Sequence, residues 1–428
     1  MSEKLRFVDL FAGLGGFNVG LSKLGFTCVF AVEIDSDLNN LYHRNFGIKP
    51  AYDIRGVDAK NIPNHEILCA GFPCQPFSKA GFQFGLEDSL NGDLFENHLL
   101  RIIKHHTPKY LILENVPNLL KHNDGNTWAL IKKSLEKLNY HVNSGLLSPH
   151  EIGIPQIRKR LFVVASQKDL KMPVFPVPEK INPNHILTIL EKDPLKIRKL
   201  PIRIEEAINV WQEFVELYPK EFSLPSFPIW AQEFGATYEF ETSTPLSFRR
   251  KKLLTQKGSL GIKFKNMNRE EIIKNLPPYA RSQKESFPSW KIKFIKQNRE
   301  LYARNKKWID KWVPKLGAFP PSLQKLEWNC KGEKRDIWAH IIQIRASGIR
   351  VKRSALAPSI VAMTTTQIPI IGWEKRYMTI KEVANLQSIS ELKELPESES
   401  SAYKAMGNAV NAELVKIVGK SILKSSEI

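Results

Sequence analysis

Short apolar runs alternate with longer amphipathic stretches along the first 165 residues. Residues 5–11, 28–34, 67–70, 110–114, 142–147 and 161–165 are strand-length runs rich in β-branched and aromatic side chains. Residues 16–24, 37–46, 94–105 and 127–138 place apolar positions at helical spacing. Such alternation predicts an α/β fold, a doubly wound and mostly parallel sheet covered on both faces. The pattern breaks at the proline-rich stretch 171–178 and again at Asn182-Pro183-Asn184, which marks a domain boundary. From about 200 to 344 strands and helices cease to alternate, and residues 413–423 return to helical spacing after Met406-Gly407-Asn408. A chain of 428 residues exceeds one small core, so two domains are expected.

Composition narrows the class. Hydrophobic residues make up 42% and charged residues 25%, as in a soluble enzyme. No apolar run approaches the roughly 20 residues that span a bilayer, and Met1-Ser2-Glu3-Lys4 lacks the layout of a signal peptide. Cys28, Cys69, Cys74 and Cys330 show no paired spacing, which argues against a disulfide framework or a metal site and for a reduced, cytoplasmic protein. The adjacent His105 and His106 diverge on a helix and read as solvent-facing. The net charge of +19 is uneven. Residues 1–160 hold 18 Lys/Arg against 16 Asp/Glu, whereas residues 245–315 hold 20 against 5. That basic segment is interleaved with Phe248, Phe264, Tyr279, Trp290, Phe294, Tyr302, Trp308 and Trp312, a pattern expected of a nucleic-acid-binding surface.

Two segments carry candidate chemistry. In Gly71-Phe72-Pro73-Cys74-Gln75-Pro76-Phe77-Ser78 a thiol follows a buried-strand pattern, at the C-terminal end of the strand, where open α/β sheets build their sites. Pro73 and Pro76 stiffen the turn, so Cys74 is placed as a nucleophile rather than packed as a core residue. Near the N-terminus, the first strand runs into Asp9-Leu10-Phe11-Ala12-Gly13-Leu14-Gly15-Gly16, and glycines there permit a tight turn and close approach of a ligand. The third glycine of a dinucleotide fingerprint is replaced by Asn18, so a nicotinamide cofactor is disfavoured. Glu33 at the end of the second strand can accept two ribose hydroxyls, or merely cap a helix, and Asp53, at the end of the next candidate strand, can meet an adenine amino group.

With these features in place the chain resembles the DNA (cytosine-5)-methyltransferases of bacterial restriction–modification systems. The resemblance rests on motifs in the family's order: Phe7 to Gly16, Gly71 to Ser78, Leu113-Glu114-Asn115-Val116, Ile154-Pro155-Gln156-Ile157-Arg158-Lys159-Arg160, Arg376 to Gln387, and Tyr403 to Val410. It covers residues 5–165 and 345–425, with the family's target-recognition region between. It implies a cofactor-binding catalytic domain of residues 1–180 and 390–428, and a second, smaller, basic DNA-recognition domain of residues 181–389. It implies S-adenosylmethionine as cofactor, contacted by Asp9, Phe11, Ala12, Gly13, Leu14, Gly15, Gly16, Glu33, Ile34, Asp53, Ile54, Gly71, Pro73, Leu94, Asn408 and Val410. No metal is implied. The implied partner is double-stranded DNA, with a cognate endonuclease acting on the same site without direct binding, and the enzyme is expected to be a monomer.

In that family's chemistry Cys74 adds to carbon 6 of a flipped-out cytosine, turning the ring into an enamine whose carbon 5 attacks the methyl group. Glu114 holds the exocyclic amine and, protonated, donates to nitrogen 3. Arg160, with Arg158 two residues away on the same face of an extended segment, orients Glu114 and the pyrimidine carbonyl. Gln75, Ser78, Lys79 and Gln156 are implied DNA contacts, with Ser78 opening a glycine-punctuated stretch suited to a lid. Lys291, Lys293 and Lys296 supply backbone affinity. The rival readings are the same chemistry on RNA, a nicotinamide oxidoreductase, and a catalytically silent DNA-binding regulator.

Overall fold

The computed structural model describes residues 4–73, 93–178, 182, 184–360 and 364–426. Cys74, Gln75, Ser78 and Lys79 lie outside the described residues. The chain divides into two compact units, 1–194 with 355–365 and 379–428, and 195–354 with 366–378.

The first unit is built on β1 (Arg6–Leu10), α1 (Gly16–Ser22), β2 (Thr27–Val32), α2 (Ser36–Phe46), β3 (Ile67–Ala70), α3 (Leu100–His106), β4 (Tyr110–Asn115), α4 (Asn126–Lys137), β5 (Tyr140–Leu147), β6 (Gln156–Ile157) and β7 (Arg160–Gln167). The main sheet runs β2-β1-β3-β4-β7-β5. β2, β1, β3 and β4 are parallel, while β7 and β5 add antiparallel at one edge. Side-chain alternation then sorts the strands' apolar residues onto two faces. Val8, Leu10, Leu68, Ala70, Leu111 and Leu113 pack with Leu99, Ile102, Ile103, Ile131 and Leu135 on one side. Phe7, Ile67, Cys69, Tyr110 and Ile112 pack on the other with Phe17, Leu21, Leu414, Val415, Val418 and Ile422. Each fully buried Leu, Ile, Val or Phe contributes about 1.5–3 kcal/mol by leaving water.

Three expectations change here. The strand expected to end at Asp53 is reduced to a single bridge between Val32 and Ala51, because Pro50 and the turn at Asp53-Ile54-Arg55-Gly56 leave too few residues to extend a ladder. The helix expected over 94–105 opens with a π-helical stretch, Leu94–Leu99, before α3. His106 is not solvent-facing: its Nε2 lies 2.7 Å from the Ala59 carbonyl oxygen and its ring packs on His65 at 4.7 Å.

In the second unit, α5 (Ile202–Leu217), β8 (Ile229–Trp230), α6 (Arg250–Leu253), α7 (Arg269–Asn275), α8 (Ser289–Trp312), β9 (Lys325–Asn329), β10 (Ile341–Arg345) and β11 (Gly348–Lys352) follow in order. β12 (Ala357–Pro358) belongs to the first unit and pairs with β6. β13 (Ile370–Ile371) and β14 (Arg376–Tyr377) complete a sheet ordered β14-β13-β10-β11-β9-β8. The aromatics of the basic segment are largely its core rather than an exposed stacking surface. Phe264 is fully buried, Trp312 is 1% exposed and packs on Trp211 and Phe214, and Tyr279 meets Trp230 at 4.4 Å. Among these aromatics Trp290 stands out at 54% exposed.

α9 (Ile380–Gln387), α10 (Glu399–Asn408) and α11 (Ala412–Ser426) return to the first unit. The expected recognition region, 181–389, is therefore trimmed at both ends. Ile186 N–H donates to the Ala355 carbonyl, the Asn385 side chain to Ile189, and Glu191 N–H to Glu382, all within the first unit. These hydrogen bonds link chain segments far apart in sequence, which a proline-rich composition does not reveal.

The second unit also buries an ion pair. Glu233 is fully buried and accepts from Arg299 Nε at 3.0 Å, from the Tyr279 hydroxyl at 2.7 Å and from the Tyr238 hydroxyl. The Arg299 guanidinium in turn lies 4.4 Å from the Tyr238 ring centroid. Removing one partner strands the other charge in an apolar surround. Arg299→Ala should therefore lower stability by about 3 kcal/mol, read as a fall in Tm by calorimetry; a change within error would show that Glu233 is solvated in solution.

Candidate active site

The C-terminal ends of β1, β2, β3 and β4 open onto a cavity of about 750 Å³. Its walls come from the first unit: the loop after β1, the end of β2, the turn at Asp53, the segment Gly71-Phe72-Pro73, the end of β4, and α10 with the residues that follow it. This is the crevice beyond the carboxyl ends of parallel strands, where the fold class places its ligands.

The glycine loop is shaped by two separate demands. Gly13 has φ 54° and open space where a Cβ would stand, so its backbone faces the cavity unobstructed. Gly15 and Gly16 are glycines for packing. A Cβ on Gly15 would meet the Phe46 ring at 2.3 Å, and one on Gly16 the Val410 carbonyl oxygen at 2.3 Å. Phe11, Ala12, Gly13 and Gly16 line the cavity, whereas Asp9, Leu14 and Gly15 do not. Asp9 is fully buried beneath the loop and accepts from the Tyr42 hydroxyl at 3.1 Å. Burial holds its carboxyl well above the usual range, with Glu33 adding to the rise and Tyr42 opposing it.

Glu33 follows β2 and is 7% exposed. Its carboxylate accepts from the Gly13 N–H and from the Asp35 N–H, each at 2.7 Å. Those bonds fix the carboxylate against the loop and leave further lone pairs for a ligand. Ile34 is 51% exposed and lines the cavity beside Tyr52, Asp53 and Ile54. Asp53 is itself engaged, accepting from the Arg55 N–H at 2.9 Å and pairing with its guanidinium at 3.3 Å. Gly71, Pro73, Leu94, Asn408 and Val410 also line the wall.

At the far wall Glu114, on β4, meets Arg160, the first residue of β7, because the two strands are antiparallel neighbours. Glu114 Oε1 lies 3.0 Å from Arg160 Nε. Burial raises the Glu114 carboxyl above its ordinary value, opposed first by the positive charge of Arg160 and then by Arg158. The adjoining Asn115 is 2% exposed and donates to the Phe72 carbonyl at 3.2 Å, tying the end of β4 to the segment that leads into Cys74. Its burial beside Glu114 was the signal for this role, and sequence reasoning assigned it none.

Arg158 and Arg160 do different work. Arg158 is 2% exposed and donates to the carbonyls of Gly407 at 2.7 Å, Ala409 at 3.1 Å and Ile360 at 3.1 Å, and to the Ser359 hydroxyl at 3.4 Å. It clamps the returning C-terminal chain and, like Arg160, lines the cavity, where its charge also opposes the rise of the Glu114 carboxyl. Gln156 is also fully buried, on β6 beside β12, and does not line the cavity, so in this arrangement it offers no surface to DNA. The lysines of α8 divide likewise. Lys293 and Lys296 are exposed, whereas Lys291 donates to the Tyr279 carbonyl at 3.0 Å and sits over the Phe287 ring. Burial lowers its ammonium below the ordinary value.

Sequence reasoning also missed Ser398 and Ser401, which line the cavity at the start of α10, where the Ser398 hydroxyl accepts from the Ser401 N–H. A serine followed by a glutamate ahead of an apolar run is the N-cap pattern that could have found them.

Comparison with known proteins fits this arrangement. The family model for C-5 cytosine-specific DNA methylases matches residues 5–221 and 236–424. The type II methyltransferase M.AluI of Cellulosimicrobium cellulans is 30% identical over 483 aligned positions, covering 97% of this chain and 91% of that protein. The type II methyltransferase M.HhaI of Haemophilus parahaemolyticus is 39% identical over 220, covering 51% of this chain and 67% of that one. Among solved structures, a putative DNA modification methyltransferase encoded within an E. coli prophage superposes with a TM-score of 0.55 at 18% identity, covering 99% of this chain and 100% of the other, a likeness of fold. With the family model matching nearly end to end, the chain belongs to the C-5 cytosine-specific DNA methylases and is a DNA cytosine-5 methyltransferase.

Proposed function

We propose that Cys74, Glu114 and Arg160 form the reacting set of this methyltransferase, that S-adenosylmethionine occupies the cavity, and that the second unit supplies the DNA-recognition surface. The observation that carries the reading is the buried Glu114–Arg160 pair on the cavity wall, 3.0 Å apart. The cofactor fit rests on Glu33, fixed by two backbone amides at the mouth of the glycine loop with Gly13 facing open space. A carboxylate in that position suits ribose hydroxyls, and Asp35 and Asp37 beside it offer an acidic wall that a diphosphate would avoid. When bound, S-adenosylmethionine supplies an electrophilic methyl group on a sulfonium.

The rest of the chemistry belongs to this chain. Cys74, as thiolate, forms a bond to carbon 6 of a cytosine displaced from the stack, and the electron pair moves towards nitrogen 3. Glu114, whose acid form burial favours, donates its proton there and prevents charge from accumulating on the ring. Arg160 holds the Glu114 carboxyl in place, and its guanidinium lies within the same wall to meet the pyrimidine carbonyl. After methyl transfer a base removes the carbon 5 proton, the bond to Cys74 breaks, nitrogen 3 returns its proton to Glu114, and the thiolate is regenerated.

The likeness to M.AluI across 91% of that protein supports a role as the modification enzyme of a restriction–modification pair, acting as a monomer in the bacterial cytoplasm on a specific duplex sequence. Among the described residues no helix is long and apolar enough to cross a membrane. The exposed Lys293 and Lys296 on α8 are the phosphate-binding side chains we assign, and Lys291 is withdrawn from that set because its amine is committed inside the unit.

Three outcomes are expected. Cys74→Ser should abolish methyl transfer while leaving cofactor affinity near that of the parent, and duplex DNA carrying 5-fluorocytosine at the target should trap a covalent adduct with the parent enzyme alone. Active parent enzyme that forms no adduct would remove Cys74 from the mechanism, and equal turnover on transfer RNA would shift the substrate class. Glu114→Gln should slow methylation by about a hundredfold. A raised carboxyl pKa means that the acid form is lost as pH rises through it, so the parent's rate should fall along that limb and the variant's should not. Weakened cofactor binding with unchanged chemistry would instead place Glu114 in the cofactor pocket. Replacing Lys293 and Lys296 by Ala should flatten the log–log salt dependence of DNA binding by roughly 0.9 for each phosphate that is no longer neutralised, for cognate and non-cognate duplexes alike. A change in sequence preference at constant salt slope would identify them as base readers.

A further inference from the structure

The second unit carries a group of donor side chains that methyl transfer does not use. Cys330, Glu333 and His340 bring a thiol sulfur, a carboxylate oxygen and an imidazole nitrogen within 4.8 Å of one another. The backbone builds this cluster locally. β9 ends at Asn329, and the chain turns through Cys330-Lys331-Gly332-Glu333, where the Glu333 N–H donates to the Cys330 carbonyl at 3.0 Å. Gly332 has φ 86°, a conformation that strains any residue with a Cβ. A single 3₁₀ turn, Ile337–Ala339, then brings in His340, whose N–H donates to the Ile337 carbonyl at 3.2 Å.

The imidazole is oriented before any ligand arrives. Its Nδ1 lies 2.6 Å from the Asp336 carbonyl oxygen, which can only accept, so Nδ1 carries hydrogen. The Trp328 ring packs edge-on against it at 5.3 Å. This leaves Nε2 facing Glu333 Oε2 at 2.9 Å. Two lone-pair-bearing atoms at that separation need a cation between them, either a proton on Nε2 or a metal ion. The His340 side chain is 3% exposed, and Arg353 Nε approaches the other Glu333 oxygen to 3.3 Å. A divalent ion would have its two charges offset by the thiolate and the carboxylate, with the imidazole as a neutral donor.

We propose that Cys330, Glu333 and His340 bind one divalent transition-metal ion of the zinc class. Nitrogen, sulfur and oxygen donors together suit a borderline-soft ion without a fixed geometric demand. Such an ion sits about 2.0–2.3 Å from each donor, which sets donor pairs about 3.5 Å apart. A pair at the 4.8 Å limit must then close by about 1.3 Å, and the Nε2–Oε2 pair, now at 2.9 Å, must open by about 0.6 Å. The fourth position is open to water. The ion ties the end of β9 to the start of β10, two strands that lie on opposite sides of β11 and do not pair with each other. Its role is therefore structural, a staple across one end of the sheet. The thiol must bind as thiolate, so metal binding releases a proton.

The test uses the full chain, stripped by a strong chelator and titrated with Zn²⁺ against a chromophoric competitor, then with Co²⁺ as spectroscopic probe. The expected result is one equivalent of Zn²⁺, a Tm raised by Zn²⁺, and a Co²⁺ spectrum with thiolate charge-transfer absorption and tetrahedral d–d bands. Cys330→Ser and His340→Gln should each weaken Zn²⁺ binding at least tenfold, roughly the lower limit for loss of even an outer partner. Glu333→Gln keeps the side chain's shape, and an unchanged near-ultraviolet dichroism separates its loss of affinity from misfolding. Cys74→Ser should leave the Co²⁺ spectrum as it was. Failure of the parent to retain Zn²⁺, or retention of the thiolate band in Cys330→Ser, overturns the proposal and leaves a proton-bridged His340–Glu333 pair.

Discussion

The buried guanidinium of Arg158 is the constraint around which the catalytic unit is organised. Its donors reach the carbonyls of Gly407, Ala409 and Ile360, and so bring together the segment leading into β7, the segment after β12 and the end of α10. A fully desolvated guanidinium is tolerable because fixed acceptors replace its water, and removing them would strand a charge. The consequence is that the chain returns to its own beginning. Val410 is pressed against Gly16 so closely that no side chain fits at that glycine, and α11 then packs on α1 through Gly20 and Gly419. Cofactor loop and C-terminal motif are therefore two walls of one cavity.

With that scaffold in place, the reactive wall follows from strand order. β7 adds antiparallel to β4, which sets Glu114 opposite the start of β7 and within 3.0 Å of Arg160. The pair is a compromise of opposing effects: burial pushes the carboxyl towards its acid form and the arginine pulls it back. A carboxyl raised in this way keeps its proton to a higher pH than an exposed glutamate does. Asn115, one residue on, connects the same strand end to the backbone at Phe72, so the strand that carries Glu114 is registered against the segment at Phe72.

The second unit reconciles two demands on one stretch of sequence. Its aromatic side chains make the core around Trp211, Phe214 and Trp312, while Lys293, Lys296 and their neighbours on α8 face solvent. A helix with one apolar stripe and one basic face serves both needs at once. The buried Glu233–Arg299 pair, satisfied by two tyrosine hydroxyls, adds a polar constraint inside that core.

Several features were legible from sequence because they depend on local order. Strand runs such as Ile67–Ala70, the glycine loop and Glu114 after its apolar strand all announce themselves through period and spacing. The antiparallel edge of the sheet, the roles of Gly15 and Gly16, and the split between Arg158 and Arg160 do not. Two arginines of one short motif differ because one meets the backbone carbonyls of Gly407 and Ala409 and the other a carboxylate on a neighbouring strand. Alternating aromatic and basic residues likewise look alike whether the rings face a core or a nucleic acid, until helix orientation is known. Sequence by itself determined which groups are present and which local conformations they favour. Only the tertiary structure decided which of them share a wall, because hydrogen-bond partners and burial arise from segments hundreds of residues apart.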